Sequence, residues 1–404
     1  MRAAHLVVVG ASLAGLRAVE SARKSGHQGR ITLIGDEPHL PYDRPPLSKG
    51  FLAAEAAPEP ALHWDEARFA ELEVDLCLGR RASELDVGER RIAVGGELIE
   101  YDGLVIATGA AARSLPGAEG LRGVHALRTL DDARAIRAAL DGGARTLVVG
   151  GGFIGSEVAA AARRRDLPVT LVEAMPVPLV RAVGAEVGSA VAELHEENGV
   201  DLRCGITVTG VSGTDRVEQV DLSDGSVLDV DLVVVGIGAI PETEWLRSSG
   251  LDVDDGVVCD ETLNAGAPGV YSAGDVARWR SGLFGRSLRV EHWTSAAEQG
   301  ALAARNALDP ASAERYDEVP YFWSDCYDRK MQFAGVAEGV DEVHVAAGDL
   351  ESAKFTALYR REDRVVGAFT MNNPGHSAKC QRLIAQRSGW QDALKLIGAG
   401  RRGR

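Results

Sequence analysis

Two glycine-punctuated turns carry the chemistry-bearing pattern of this sequence. The first is Val7-Val8-Val9-Gly10-Ala11-Ser12-Leu13-Ala14-Gly15, and the second is Leu147-Val148-Val149-Gly150-Gly151-Gly152-Phe153-Ile154-Gly155-Ser156-Glu157. In each, a β-branched run meets a glycine and then an Ala-rich stretch that favours helix. The glycine directly after the run (Gly10, Gly150) permits a tight turn, and the later one (Gly15, Gly155) lets helix and strand pack closely. The helix start then presents N–H groups and the positive end of its dipole, a seat for a pyrophosphate. The next β-branched run after each turn ends in an acid: Asp36 follows Ile31–Ile34 and Glu173 follows Val169–Val172. A carboxylate there accepts hydrogen bonds from ribose hydroxyls, and at Glu173 it repels a 2′-phosphate, favouring NADH over NADPH. The first turn departs from G-x-G-x-x-G at its middle position, Ser12. The second has all three glycines, Gly150, Gly152 and Gly155, and is the more specific signal. Two such seats in one chain call for two dinucleotides, most economically a resident flavin and a nicotinamide that comes and goes.

The elements that position these turns read as α/β. Short Val/Ile/Leu runs (His5–Val9, Ile31–Ile34, Leu104–Ala107, Leu147–Val149, Val169–Val172, Leu232–Val235) alternate with helical stretches such as Leu13–Lys24 and Ile154–Arg165. Continuous β-branched runs followed by helices predict parallel strands covered on both faces. From about residue 318 the pattern changes. Alternating, aromatic-rich stretches at 320–325, Lys330–Gly335, Phe355–Arg360 and Val365–Met371 predict antiparallel strands, followed by helices near Ala378–Gln386 and Trp390–Leu396. Residues 54–61 and 113–123 read as connecting loops.

Composition bounds the function. The 404 residues suffice for two to four domains at roughly 100–200 residues each, and the apolar content of 45% with 25% charged is that of a globular protein. The net charge of −15 argues against nucleic-acid or anionic-membrane binding by the whole surface. No apolar run approaches the length of a membrane span. Met1-Arg2-Ala3-Ala4-His5 leads directly into a strand-like run, so a cytoplasmic protein is expected. Residues 321–404 nonetheless carry an excess of cations, to which Arg401, Arg402 and Arg404 contribute; a solvated tail and a docking role remain open. The five cysteines, Cys77, Cys204, Cys259, Cys326 and Cys380, lie far apart with no C-x-x-C. They read as reduced thiols, with neither a local redox disulfide nor a metal site. No residue is assigned to a metal.

Further runs are more specific: Pro41-Tyr42-Asp43-Arg44-Pro45-Pro46-Leu47-Ser48-Lys49, Leu104-Val105-Ile106-Ala107-Thr108-Gly109, Val270-Tyr271-Ser272-Ala273-Gly274-Asp275 and Phe322-Trp323-Ser324-Asp325. With the second glycine turn, they make the chain resemble, over nearly its whole length, the FAD-dependent ferredoxin reductases of the putidaredoxin and rubredoxin reductase type. These serve Rieske oxygenases and bacterial cytochromes P450; apoptosis-inducing factor is a more distant relative. The resemblance implies two Rossmann-like, glutathione-reductase-like domains plus a C-terminal α+β domain. The FAD-binding part would span 1–112 and 242–317, the NAD-binding part 113–241 and the C-terminal domain 318–404.

It also implies site residues. FAD contacts would come from Gly10, Ser12, Ala14 and Gly15, from Asp36 at the ribose, and from Arg44 and Lys49 beside the phosphates or the isoalloxazine. Ala82 would lie on the adenine side, with Thr108, Gly109, Arg128, Gly274, Asp275 and Trp293 completing the set. Gly150, Gly152, Ile154, Gly155, Glu157, Glu173 and Gly238 would serve NADH. Lys49 and Glu157 are expected to pair at the nicotinamide, and Trp323 to border the flavin on the electron exit path; a purely structural ion pair and a core tryptophan are the alternatives. The reaction implied is hydride transfer from NADH to tightly, non-covalently bound FAD, then single electrons to a small [2Fe–2S] ferredoxin that serves a cytochrome P450 or a Rieske oxygenase. Arg305, Arg315, Arg329, Lys330, Arg360 and Arg361 are candidate docking cations for that partner. Two other readings stay open. One is an NADH-dependent reductase of a small molecule such as a quinone, peroxide or coenzyme A disulfide, although no reactive cysteine follows the first turn. The other is a redox-sensing binding protein like apoptosis-inducing factor.

Overall fold

The computed structural model describes residues 4–54 and 59–398. The tail arginines Arg401, Arg402 and Arg404 lie outside the described residues. Packing divides the chain into two units. One comprises Met1–Asp43, Ala61–Ala111 and Ile240–Pro320, the other Arg44–Pro60, Ala112–Ala239 and Tyr321–Arg404. Among the described residues no helix is long and apolar enough to cross a membrane.

The first unit is built on a five-stranded sheet in the order Val270–Ser272, Gly103–Ile106, His5–Val9, Arg30–Ile34, Val74–Cys77, every pair parallel. The uninterrupted apolar runs are explained by burial on both faces: Leu6, Val7 and Val8 are all fully buried. The Leu13–Lys24 helix buries Leu13, Leu16 and Val19 on one stripe and ends on Arg23 and Lys24, which complement its dipole. A second helix, Trp293–Leu308, packs against it through Gly300, where a Cβ would stand 2.1 Å from the Ala14 carbonyl oxygen. Two small sheets were not foreseen in the sequence. One is made of Ala82–Asp86, Arg91–Val94 and Glu97–Glu100; the other of Val257–Cys259, Ala277–Ser281 and Arg286–Leu288.

The second unit repeats the plan. Its parallel sheet runs in the order Asp201–Cys204, Val169–Glu173, Thr146–Val149, Leu232–Val235, Val124–Ala126. The Phe153–Arg163 helix follows its glycine turn, and the Leu130–Asp141 helix opens on a capping box between Thr129 and Asp132. The expected antiparallel portion is a five-stranded sheet in the order Tyr321–Cys326, Arg329–Gly335, Arg364–Met371, Phe355–Arg361, Glu342–Ala347. Its edge strand, Glu342–Ala347, escapes the sequence pattern because half of it faces water and its register shifts between Val345 and Ala347. The two sheets share one core: Ala160, Val183, Val187 and Val191 pack with Cys326, Phe333, Phe355, Tyr359 and Phe369.

Within that core His195 is fully buried, with Nδ1 2.9 Å from the Tyr327 hydroxyl and Nε2 3.0 Å from the Ser156 hydroxyl. Burial pulls its pKa from 6.5 down to about 4. The folded imidazole is therefore neutral where an unfolded one takes a proton. Its contribution to stability is intact above pH 6.5 and is lost as pH falls towards 4. The loss amounts to about 3 kcal/mol at most. The His195→Gln variant cannot titrate, so its stability in urea unfolding should fall less steeply over that interval than the unaltered protein's. Parallel pH dependences would show that His195 does not take part.

Candidate functional site

The two glycine turns have the same physical construction. Gly10 has φ of 121°, and a Cβ on it would lie 2.0 Å from the Ala107 carbonyl oxygen; a Cβ on Gly15 would lie 1.9 Å from the Gly10 oxygen. In the second turn Gly150 has φ of 102°, with its virtual Cβ 2.3 Å from the Gly236 oxygen, and that of Gly155 is 2.1 Å from the Gly150 oxygen. Both turns thus touch the chain leaving the neighbouring strand, at the point where strand order reverses. The middle position differs. Ser12 and Gly152 are both extended, with φ of −117° and −76°, and a Cβ on Gly152 would come no nearer than 3.8 Å to the Gly236 oxygen. A side chain is tolerated there, which explains Ser12. Neither helix carries an acid in its first turn or a side-chain cap hydrogen bond. Each therefore offers N–H groups without intrahelical acceptors to an anion.

The acids behind the turns are placed differently. Asp36 is exposed just past Arg30–Ile34. Glu173 accepts from the Gly151 amide at 2.7 Å and the Met175 amide at 2.8 Å, so its carboxylate is locked to the turn it serves. In the first unit Thr108 donates its hydroxyl to the Glu242 carbonyl at 2.8 Å, and the Gly109 oxygen accepts from the Glu242 amide at 3.0 Å. Gly274, with φ of 79°, donates its amide to Gln299 Oε1 at 2.9 Å, and a Cβ on it would be 3.2 Å from that of Ala14. Asp275 follows it. Trp293 donates its indole N–H to Asp43 Oδ1 at 2.7 Å, and Ala82 is buried at the start of its strand. One donor beside Gly274 is buried without a hydrogen-bond partner, Gln299 Nε2. An orphan of this kind is costly unless a ligand meets it. A dinucleotide rich in phosphate and hydroxyl oxygens fits both this donor and the bare glycine cradle beside it.

In the second unit the expected Lys49–Glu157 pair is formed. Lys49 Nζ lies 2.7 Å from Glu157 Oε1, which also accepts from the Ser324 hydroxyl at 2.5 Å, and the Ser48 hydroxyl donates to Oε2. Glu157 is only 3% exposed. A buried carboxylate needs such donors to stay charged. Ser48 and Ser324 were not singled out in the sequence, although both lie inside motif runs. Trp323 stands on the opposite face of its strand from Ser324, its ring 6.3 Å from that of Tyr321. Ile154, at the helix start, is 40% exposed, and the Gly238 oxygen accepts from the Arg113 amide. Arg44 and Arg128, grouped by resemblance with the flavin contacts, pack in the second unit, where the Arg44 guanidinium donates to the Arg128 carbonyl.

Other candidates are committed elsewhere. Arg305 pairs with Glu314, Arg315 with Glu261, Arg329 with Asp328 and Arg360 with Glu342, while Arg361 donates to the carbonyls of Glu338 and Gly339. Four of those candidate docking cations thus pair with neighbouring carboxylates, whereas the partners of Arg361 are neutral carbonyls that leave its charge uncompensated. All five cysteines are free, and burial pushes the thiols of Cys259 and Cys380 up to about 12. Burial raises Cys77, Cys204 and Cys326 as well. None of them is a ready nucleophile at neutral pH.

Comparison with known proteins matches residues 4–300 to the pyridine nucleotide-disulphide oxidoreductase family model and residues 321–395 to a reductase C-terminal domain. The chain belongs to this oxidoreductase family. Rhodocoxin reductase of Rhodococcus erythropolis is 36% identical over 393 residues, covering 94% of this chain and 89% of its own length. The ferredoxin–NAD(+) reductase component of the biphenyl dioxygenase system of Paraburkholderia xenovorans (strain LB400) is 38% identical over 385 residues, covering 95% and 93%. Among solved structures, the covalent putidaredoxin reductase–putidaredoxin complex aligns with a TM-score of 0.91 at 34% identity, covering 99% of both chains. Two Rossmann-like parallel sheets and a C-terminal antiparallel sheet are thus the architecture of this family member.

The Gly300 contact tests the first cradle directly. Gly300→Ala must part the two helices that meet at Ala14, and urea unfolding should show a loss of about 1–3 kcal/mol, the usual penalty for overpacking. Unchanged stability would mean that the close approach at Ala14 is not rigid.

Proposed function

We propose that this family member is an NADH:ferredoxin oxidoreductase with tightly, non-covalently bound FAD, which delivers electrons to a [2Fe–2S] ferredoxin serving a cytochrome P450 or a Rieske oxygenase. The observation that carries the reading is the pair of equivalent glycine cradles, one per unit, in a chain whose relatives over nearly its full length are named as reductases of ferredoxin-dependent oxygenase systems. The buried thiols support an acceptor outside the chain, since a disulfide-relaying reductase needs an accessible thiolate pair.

On this reading residues 1–112 and 242–317 bind FAD, 113–241 bind NADH, and 318–404 form the C-terminal domain. FAD, when bound, accepts hydride and releases electrons one at a time. The chain's own groups bind and orient. The N–H groups at the start of Leu13–Lys24 hold the FAD diphosphate, Asp36 takes ribose hydroxyls, and Thr108, Gly109, Gly274, Asp275 and Trp293 enclose the rest, with Ala82 at the adenine side. Gly150, Gly152, Ile154, Gly155 and Gly238 line the NADH seat, and Glu173 disfavours a 2′-phosphate. Glu157 holds the Lys49 ammonium at a fixed point of the second unit, where a cation steadies developing negative charge. Arg44 and Arg128 are proposed as further FAD contacts, the Arg44 guanidinium being bonded to the Arg128 carbonyl, and Trp323 lies on the electron path.

Anaerobic titration should bleach the flavin spectrum of the purified protein with NADH more readily than with NADPH, and cytochrome c should be reduced only when a [2Fe–2S] ferredoxin is added. Lys49→Met should slow single-turnover flavin reduction by about 100-fold, the usual scale for one preorganised electrostatic contact. A colourless protein that no added flavin restores would overturn the proposal, and an unchanged rate would remove Lys49 from it.

A further inference from the structure

The Lys49–Glu157 pair hangs on a segment with little internal structure. Ser48 closes one 3-10 turn, Pro45–Ser48, and Lys49 sits between it and a second, Gly50–Leu52. Turns this short have poor hydrogen-bond geometry and leave carbonyls unmet at their ends. Here four successive carbonyls accept from two arginines of the same unit. Arg137, on Leu130–Asp141, donates Nη1 to the oxygens of Phe51 and Ala53, each at 2.8 Å, and Nη2 to that of Ala54 at 3.3 Å. Arg165, beyond the end of Phe153–Arg163, donates to the Leu52 oxygen. Asp141 braces both guanidinium groups, with Oδ1 2.8 Å from Arg165 Nη2 and Oδ2 3.3 Å from Arg137 Nε. Its hydrogen bond with Arg165 is the main reason its carboxyl titrates below the usual range. The two arginine side chains are only 10% and 7% exposed.

Charge placed this deep needs a reason. Burial of Leu47, Phe51 and Leu52 already holds the segment to the unit. Apolar burial, however, is non-directional and does not fix how the backbone is rotated or how far it has slid. Directed bonds from planar guanidinium forks do, and one fork meets several carbonyls where a lysine offers a point charge.

We propose that Arg137 and Arg165, braced by Asp141, are positioning residues that hold residues 48–54 in the one register that brings Ser48 and Lys49 to Glu157, and so govern how fast NADH reduces the flavin. The rate clause rests on the function proposed above; the positioning clause does not.

Arg137→Met and Arg165→Met test both clauses, each made in the unaltered protein and in Lys49→Met. Brief acetylation of amines, followed by mass spectrometry, reads the exposure of Lys49 relative to Lys24, a lysine 71% exposed on the other unit. Losing a charged hydrogen-bonded anchor should raise Lys49 labelling about tenfold while leaving Lys24 unchanged. Single-turnover reduction by NADH should slow about tenfold in either variant, and no further in the Lys49→Met background, because the effect passes through Lys49. Arg137→Lys should recover part of both. Unchanged Lys49 labelling in both methionine variants overturns the positioning role. Equal slowing with and without Lys49 overturns the route to the rate. If NADH fails to bleach even the unaltered protein, the functional reading falls, and the labelling still decides the positioning.

Discussion

The constraint on which the rest depends is that no side chain fits where each central strand turns into its helix. At Gly10 and Gly150 the backbone passes so close to the exit of the adjacent strand that a Cβ would overlap a carbonyl oxygen, and at Gly15 and Gly155 the helix lies as tightly on its own turn. Only glycine admits that approach, and only that approach aims a helix start at the sheet's switch point. The anion seat is therefore a consequence of backbone packing, which is why Ser12 can replace the middle glycine without changing the construction. The two cradles share this geometry while differing in their acids. Glu173 is bonded into its turn, and Asp36 is left exposed.

The second organising interaction is the buried Glu157 carboxylate. An unpaired charge at that depth would cost several kcal/mol, and the fold answers with the Lys49 ammonium and the hydroxyls of Ser48 and Ser324. With Glu157 itself these donors draw on three distant stretches of chain, so the site records the joining of the Arg44–Pro60 segment, the Phe153–Arg163 helix of the second Rossmann-like layer and the C-terminal antiparallel sheet within one unit. Val187, Val191, Phe333 and Phe355 share one buried core across that joining. A reductase of this kind needs little acid–base chemistry from its side chains. What it needs is fixed charge and fixed distance, and the burial of Glu157, Arg137 and Arg165 serves both.

Much of this is legible in the residue pattern alone. His5–Val9 and Leu13–Lys24 have the bounds their patterns predict, and Leu232–Val235 likewise, because a fully buried parallel strand reads as an unbroken apolar run. The helices Leu130–Asp141, Val180–Glu197 and Trp293–Leu308 have no counterpart among the elements expected from that pattern. Val180–Glu197 begins on the left-handed Leu179 and is interrupted at Gly184, so it lacks the usual start signal. The edge strand Glu342–Ala347 is half solvated and irregular, which blurs its alternation.

Taken alone, then, the sequence determined the two glycine cradles and the parallel sheets behind them, because each is announced by local residue types at fixed spacing; the pairing of Lys49 with Glu157 is expected from the resemblance to a known family, not from any spacing. Tertiary structure alone decided that Arg44–Pro60 packs with the second unit and that Ser48 and Ser324 share one carboxylate. It alone decided that Gln299 Nε2 lies unmet beside Gly274, and that Arg137 and Arg165 hold the carbonyls of residues 51–54. Serine, glutamine and arginine are common on any surface and have no period of their own. Their meaning comes from what burial leaves them to bond, and that is settled only when distant stretches of chain meet.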